Sequence, residues 1–345
     1  MTKEFVVIAV DAMGGDFGPS IVVPGALEAA RATGCGLIFT GDAKKVQEEL
    51  GRHQTRNLSI EVAHASEDAS MGEKPSDVLR RKKDTSIQVA CRMVMEGRAQ
   101  GMVSAGNSGV VAACGIFMLG RIKGIDRPGL ASIMPAEKGQ VVVMDVGANV
   151  DCKPVQLFHF GIMANVLAQD LLNIPSPRIA LLSIGEEEGK GNIQVKEAYE
   201  LFKKSSLNFV GNVEGRRIFS GDIDVVICDG FVGNVVLKMS EGFARSFGQV
   251  LKSEMNRRLA SRIGVILTSG AFRRFARLMD YAEYGGAPLL GLKEIAIICH
   301  GMSSSKAITS AVSTAEVFAR KKTNSHLVRV LTENEELLRA PEEAV

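Results

Sequence analysis

Short runs of β-branched and aliphatic residues recur along the chain, separated by longer stretches in which apolar residues return every three or four positions. The runs at 5–10, 37–40, 58–62, 101–104, 141–144, 179–182, 209–210, 225–228 and 295–299 predict strands. Several show no apolar–polar alternation, as expected of strands covered on both faces. The periodic stretches between them, such as 77–83 and 86–96, predict helices. Strands alternating with helices in this way predict an α/β fold, a largely parallel sheet with helices on both faces. At 345 residues the chain suits one large domain or two lobes sharing a cleft. A single catalytic unit over residues 1–345 is expected, with lobes at residues 1–115 plus 295–335 and at residues 116–294.

Two apolar stretches could be mistaken for membrane signals. The run 5–10 stops at Asp11, which is too short for the apolar region of a signal peptide. Residues 101–120 carry no charge, but they include Ser104, Asn107, Ser108 and five glycines, which would be costly in lipid. A buried strand, a tight turn and a helix fit them better.

Composition adds exclusions. Trp is absent and aromatic residues make up 5%, which argues against a stacking site for nucleic acid or carbohydrate. A net charge of +2 gives no global pull toward nucleic acid or membrane. The six cysteines (Cys35, Cys91, Cys114, Cys152, Cys228 and Cys299) form no C-x-x-C pair and read as reduced, buried thiols of a cytosolic protein. The five histidines show no metal-ligand spacing, so no metal is expected.

The segments after the predicted strands carry the chemistry. They are Asp11-Ala-Met-Gly14-Gly15-Asp16-Phe-Gly18-Pro19, Ser104-Ala-Gly106-Asn107-Ser108-Gly109, Asp145-Val-Gly147-Ala-Asn149, Gly185-Glu186-Glu187-Glu188, Asp229-Gly230-Phe-Val-Gly233-Asn234 and His300-Gly301-Met-Ser303-Ser304-Ser305. Ligands of open parallel sheets bind at the carboxyl ends of strands. Glycine lets backbone N–H groups approach an anion, and a helix N-terminus adds a favourable dipole. For a single loop, plain βα-turn chemistry explains the same residues equally well. Six such loops, expected on one edge, favour an anion site.

Familiar motifs fail. Gly34-Cys35-Gly36 precedes its strand and lacks the third glycine of a dinucleotide fingerprint. Gly185-Glu-Glu-Glu-Gly189-Lys190-Gly191 is one residue short of a P-loop and has Gly191 in place of the magnesium-binding Ser or Thr. Gly106-Asn107-Ser108-Gly109 is not a G-x-S-x-G elbow, so Asn107 and Ser108 read as hydrogen-bond donors to phosphate rather than as nucleophiles.

Two segments stand out by charge. Lys74, Arg80, Arg81, Lys82 and Lys83 fall within ten residues, which suits a solvated face, an acidic partner protein or a phosphate. Residues 255–279 hold six arginines and no acidic residue, with apolar positions at helical spacing on either side of Thr268-Ser269-Gly270. This predicts an amphipathic helix pair that packs on the core or on a second copy, or lies at an anionic membrane surface through Arg262, Ile263, Ile266, Leu267, Phe272, Arg273, Arg274, Phe275 and Arg277. The membrane surface is the reading favoured here.

The stretch Ala9-Val-Asp-Ala-Met-Gly-Gly-Asp-Phe-Gly-Pro19 resembles the opening signature of the PlsX family of bacterial phosphate acyltransferases. The likeness continues in order through Val103-Ser-Ala-Gly-Asn-Ser-Gly109, Asp145-Val-Gly-Ala-Asn149, Gly211-Asn-Val-Glu-Gly-Arg216, Asp229-Gly-Phe-Val-Gly-Asn234 and Tyr284-Gly-Gly-Ala-Pro-Leu-Leu-Gly291. The resemblance implies transfer of a long-chain acyl group from acyl-acyl carrier protein to inorganic phosphate. The acyl phosphate would then feed a membrane glycerol-3-phosphate acyltransferase in phospholipid synthesis. It further implies two lobes around a cleft, similar to phosphotransacetylases and isocitrate/isopropylmalate dehydrogenases, a homodimer, no organic cofactor, and a cytoplasmic protein touching the inner face of the membrane. Ser183 stands where the family more often has Asn, and Glu294 stands where Gly is common, which questions the turn before the last strand.

On this reading Gly106, Asn107 and Ser108 donate to phosphate, with the Gly14 and Gly15 backbone nearby. Asp11 and Asp16 orient the loops, since bare carboxylates would repel phosphate. Ser104, Asp229 and Asn234 complete the substrate site, Lys238 or Lys306 supplies counter-charge, and His300 is either an acid for the leaving thiolate or a core histidine. The rival readings are a short-chain acyl-CoA:phosphate transferase, a decarboxylating dehydrogenase of the same fold, and a non-catalytic membrane and carrier-protein scaffold. The dehydrogenase would need a nucleotide loop and an aspartate metal cluster, and the sequence shows neither.

Overall fold

The structure, a computed structural model, describes residues 5–257, 270 and 286–338. Among these residues one eleven-stranded sheet runs in the order β3-β2-β1-β4-β11-β10-β5-β6-β9-β7-β8. Its strands are β1 (Val7–Asp11), β2 (Gly36–Gly41), β3 (Ile60–His64), β4 (Gly101–Ser104), β5 (Gly129–Pro135), β6 (Gln140–Met144), β7 (Ile179–Ser183), β8 (Phe209–Glu214), β9 (Val225–Ile227), β10 (Ala287–Leu290) and β11 (Ile295–Ile298). Nine of them fall on the predicted apolar runs. The other two, β5 and β10, contain Gly and Pro and read as turn sequence. Pro288 nevertheless pairs with Ile297, in a strand only four residues long.

These two strands decide the architecture. The set β3, β2, β1, β4 and β11 is parallel throughout, and so is the set β6, β9, β7 and β8. Between them β10 runs antiparallel to both β11 and β5, and β5 antiparallel to β6. Three reversals leave the two parallel sets pointing in opposite directions. The six polar loops therefore do not share an edge, as the sequence reading expected. Those after β1, β4 and β11 lie on one edge, and those after β6, β7 and β9 on the other.

Helices cover both faces: α1 (Pro19–Thr33), α2 (Ala43–Leu50), α3 (Pro75–Arg81), α4 (Ser86–Met95), α5 (Ser108–Cys114, continuing into a π turn at Gly115–Leu119), α6 (Pro154–Leu171), α7 (Ile193–Lys204), α8 (Gly230–Arg257), α9 (Ser305–Lys321), α10 (Thr323–Glu333) and α11 (Glu335–Leu338). The unbroken apolar strands serve this arrangement directly. Ile8 and Val10 of β1 enter the core under α1, α6 and α9, whereas Ala9 enters the core under α4 and α5. The larger core runs beneath both parallel sets, from Phe39 to Phe158, Leu181 and Ile227. The charge-free stretch 101–120 forms the strand, turn and helix that the sequence predicted. Glu294 is half-buried beside β11, and the strand forms after it.

Helix α6 is buried nearly all round, and such a helix has to be apolar on every side. It nonetheless carries His159, 4% exposed, with neither ring nitrogen hydrogen-bonded. Burial lowers the His159 pKa from 6.5 to about 4, and Asp126 opposes the shift. Between those values the unfolded chain binds the proton and the fold does not. His159 therefore makes stability fall as pH drops from 6.5 toward 4. Replacing His159 with Leu should lessen that loss by about 2 kcal/mol, compared between neutral and mildly acid pH by urea midpoints. An unaltered pH dependence would show that His159 is not its source.

Candidate active site

β1, β4 and β11 end level with one another, Asp11 in register with Ser104 and Ser104 with Ile298. The Ser104 hydroxyl donates to Asp11 Oδ2 at 2.6 Å, and Asp11 Oδ1 accepts the Met13 N–H at 3.2 Å. Ser104 Oγ in turn accepts the Gly106 N–H at 3.0 Å. One buried carboxylate thus fixes the first residues of two loops. Burial raises the Asp11 pKa, and hydrogen bonds from Ser104, Ser86 and Met13 oppose it. The third loop joins through the Asp16 N–H, which donates to the Gly301 carbonyl at 2.9 Å.

The glycines permit this closeness. A Cβ on Gly14 would lie 2.6 Å from the Gly106 nitrogen. Gly15 has φ +82°, and a Cβ there would lie 2.8 Å from the Gly301 carbonyl oxygen. Helices α1, α5 and α9 all begin from these three loops, so their N-terminal dipoles add positive potential at this edge.

Asn107 does more than the sequence suggested. Its Oδ1 accepts the N–H groups of Gly109 at 3.0 Å and Val110 at 3.2 Å, capping α5. Its Nδ2 donates to the carbonyls of Met71 at 2.8 Å and Glu73 at 3.1 Å. The side-chain amide is thereby committed to pinning the basic segment against the β4–α5 loop. No local pattern announces this, because the partners are 36 and 34 residues away. Within that segment Lys82 turns inward to Glu73 at 2.8 Å, whereas Lys74, Arg80, Arg81 and Lys83 are exposed. Ser108 is exposed at the first position of α5. His300 is exposed, and its Nδ1 accepts the Met302 N–H at 3.2 Å, so the neutral ring carries its proton on Nε2. Lys306 is exposed on the first turn of α9.

Asp229, Asn234 and Lys238 belong to the opposite edge. Asp229 Oδ1 accepts the Val232 N–H at 2.8 Å at the start of α8, Asn234 lies against Gly147, and Lys238 pairs with Glu241 at 2.9 Å. The organiser there is Asp145, which the sequence reading quoted in a motif but did not select. It is fully buried, and its two oxygens accept N–H groups from Leu130, Gly147, Ala148 and Asn149, plus the Asn149 amide. The available signal was Asp-x-Gly-x-Asn directly after a strand. The residues expected at a membrane surface lie outside the described residues. Among the described residues no group of His, Cys, Asp or Glu is arranged to hold a metal ion, and no helix is long and apolar enough to cross a membrane.

A recess of about 170 Å³ opens between the Gly14-Gly15 turn, Phe17, Ala105, Gly301 and the first turns of α1 and α9. A roomier polar cleft, about 850 Å³ on the same measure, lies away from these loops, between the end of α6 and α10. The strand ends, helix N-termini and glycines meet at the loop junction above this recess, which makes the junction the candidate site.

A sheet with helices on both faces and polar loops at its strand ends defines an α/β protein, and solved phosphotransacetylases share its fold. A phosphotransacetylase from Streptococcus pyogenes superposes with TM-score 0.63 over 91% of this chain and 94% of that one, at 18% identity. The EutD phosphotransacetylase from Staphylococcus aureus gives 0.60 at 16% identity, over 92% and 95%. The profile of the family described as "Fatty acid synthesis protein" matches residues 6–326, and the chain belongs to that family. Its relatives include the "Phosphate acyltransferase" of Nitratidesulfovibrio vulgaris (strain DP4), 61% identical over 96% of this chain and 97% of the relative. That of Lawsonia intracellularis is 57% identical over 98% of each.

The Asn107 clamp can be isolated. Asn107→Asp keeps the capping acceptor and loses both donations to the basic segment, whereas Asn107→Ala loses the cap as well. The Ala variant should be less stable by about 1 kcal/mol. Both variants should exchange amide hydrogens faster across residues 70–83. Unchanged exchange in the Asp variant would remove Asn107 as the clamp.

Proposed function

We propose that this protein transfers a long-chain acyl group from acyl-acyl carrier protein to inorganic phosphate. The acyl phosphate formed would be passed to a membrane glycerol-3-phosphate acyltransferase for phospholipid synthesis. The observation that carries the reading is the junction of three glycine-rich loops tied by Asp11, Ser104 and Gly301, in a chain 61% identical to a protein named phosphate acyltransferase.

A phosphate oxygen attacks the thioester carbonyl carbon, a tetrahedral oxyanion forms, the C–S bond breaks and the carrier's thiolate leaves. Phosphate is already a nucleophile at neutral pH, so the chain needs no covalent intermediate. Its tasks are to orient the reactants and to stabilise the oxyanion. Gly106, the Asn107 backbone and the Ser108 hydroxyl receive phosphate beside Gly14 and Gly15. Asp11 holds the Ser104 hydroxyl, and Asp16 holds the third loop through its N–H. His300 Nε2–H donates a hydrogen bond that stabilises the departing thiolate. Lys306, on the first turn of α9, supplies the counter-charge rather than Lys238, which lies on the opposite edge of the sheet. Asp229 and Asn234 serve the Asp145 cluster. No cofactor enters this scheme.

The exposed Arg80, Arg81 and Lys83 beside the junction are the docking face for an acidic carrier protein. The two lobes divide where β10 and β5 reverse the sheet. Helix α8 carries an exposed apolar stripe, Val235, Met239, Phe243, Phe247 and Val250, with Phe243 and Phe247 stacked at 6.0 Å. A stripe of this length on a 28-residue helix suits a second copy of the chain, giving a homodimer. The arginine-rich sequence of segment 255–279 suits contact with the anionic inner face of the membrane.

Incubation with acyl-acyl carrier protein, or acyl-CoA in parallel, and inorganic phosphate should yield acyl phosphate, trapped as the hydroxamate. No product from either donor would refute the reading. Ser104→Ala should lower kcat/KM for phosphate by about 100-fold, as loss of a preorganised site hydrogen bond does. Neutralising Arg273, Arg274 and Arg277 together should weaken flotation with anionic vesicles by up to about 3 kcal/mol while activity on soluble donor persists. Equal flotation of variant and parent would remove the membrane surface from the scheme.

A further inference from the structure

Three large apolar side chains stand exposed around the phosphate junction, where the loop chemistry is otherwise polar: Phe17 at 58%, Met71 at 45% and Met302 at 51%. Each is tied to the junction by its neighbours. Phe17 follows Asp16, whose N–H holds the Gly301 carbonyl. Met302 follows Gly301, and its N–H is held by His300. The Met71 carbonyl is held by the Asn107 amide. The Met71 side chain lies over Gly301, its Cε 2.6 Å from where a Cβ would stand. Phe17 borders the recess, whose lining includes Ile21, Val22, Ala105 and Ile308 beside Ser303 and the backbone of Gly14, Gly15, Gly18 and Gly301.

Exposed apolar surface of this size beside a polar site costs solubility unless something apolar covers it. Two of the three residues are methionines, unbranched and polarizable, which adapt to a flexible apolar partner without fixed shape. We propose that Phe17, Met71 and Met302 form the subsite for the first carbons of the acyl chain of the thioester donor and set the preference for long over short acyl groups. This rests on the transferase reading above. It explains why the Asn107 amide is spent on segment 71–73: that clamp carries Met71 to the junction. The carbonyl carbon is then presented to phosphate at the polar side of the junction, and the chain runs out over the two methionines.

The test replaces Phe17, Met71 and Met302 with Ser, singly and together, in the full chain. Transfer to phosphate is followed with butyryl, octanoyl and lauroyl pantetheine, and binding of the unreactive lauroyl pantetheine thioether is followed by calorimetry. The triple variant is expected to lose about 30-fold in the lauroyl-to-butyryl ratio of kcat/KM, equivalent to about 2 kcal/mol, with KM for phosphate unchanged. Met302→Leu should retain the ratio that Met302→Ser lowers. Thioether binding should weaken in parallel, and it needs no turnover. Thioether affinity and chain-length ratio both kept in the variants would overturn the subsite, as would an equal loss for every chain length. Thioether binding that depends on the rim, in a parent protein that makes no acyl phosphate, would instead overturn the transferase reading and leave the subsite standing. The exposed single variants keep the test decisive if the triple variant does not fold.

Discussion

The hydrogen bond from the Ser104 hydroxyl to the buried Asp11 carboxylate joins the ends of two parallel strands 93 residues apart in sequence. Much of the candidate site hangs from it. Ser104 passes the connection to the Gly106 N–H, and Asp11 takes the Met13 N–H, so the two loops leave their strands along fixed paths. A carboxylate is suited to this place because it accepts several donors at once and its charge strengthens each bond. It is also costly there, since burial disfavours the charged form unless those donors are present. The arrangement is therefore cooperative: removing one donor weakens the case for the charge that orders the others. Backbone-to-backbone proximity of Gly14 and Gly106 follows from the same bond and leaves no room for a Cβ.

The second constraint is the reversal of the sheet at β10 and β5. It gives the molecule two sets of carboxyl-terminal loops on opposite edges, each with a buried aspartate at its root. Asp11 and Asp145 occupy equivalent places, at or directly after a strand end and before a glycine-rich turn. They differ in what their loops do next. The Asp11 set opens onto helices α1, α5 and α9 and a rim of exposed apolar side chains. The Asp145 carboxylate is saturated by five donors from its own loop and β5, which makes it a structural organiser.

Much of the fold was legible because burial on both faces imposes an unmistakable pattern. Ile8, Ala9 and Val10 are apolar in succession because one faces the core under α4 while its neighbours face the core under α1, α6 and α9. The failures were equally physical. Pro288 lacks the N–H a central strand usually donates, and Gly129 opens β5, so both strands carried the signs of loops. Direction, too, has no local signature: a residue in a strand looks the same whichever way its neighbours run. The single-edge expectation failed for that reason.

The sequence by itself determined the strands of the two parallel sets, the helices between them, the glycine-rich polar loops that follow the strands and, through its ordered motifs, the family. Each of these depends on residues close together in the chain, where periodicity and turn chemistry are read directly. The tertiary structure alone decided which loops meet. It put Asp11, Ser104, Gly106 and Gly301 at one junction and sent Asp229 and Asn234 to the other edge. It also committed the Asn107 amide to the carbonyls of Met71 and Glu73. Those outcomes depend on strand order and direction and on contacts spanning tens of residues, which no local pattern encodes.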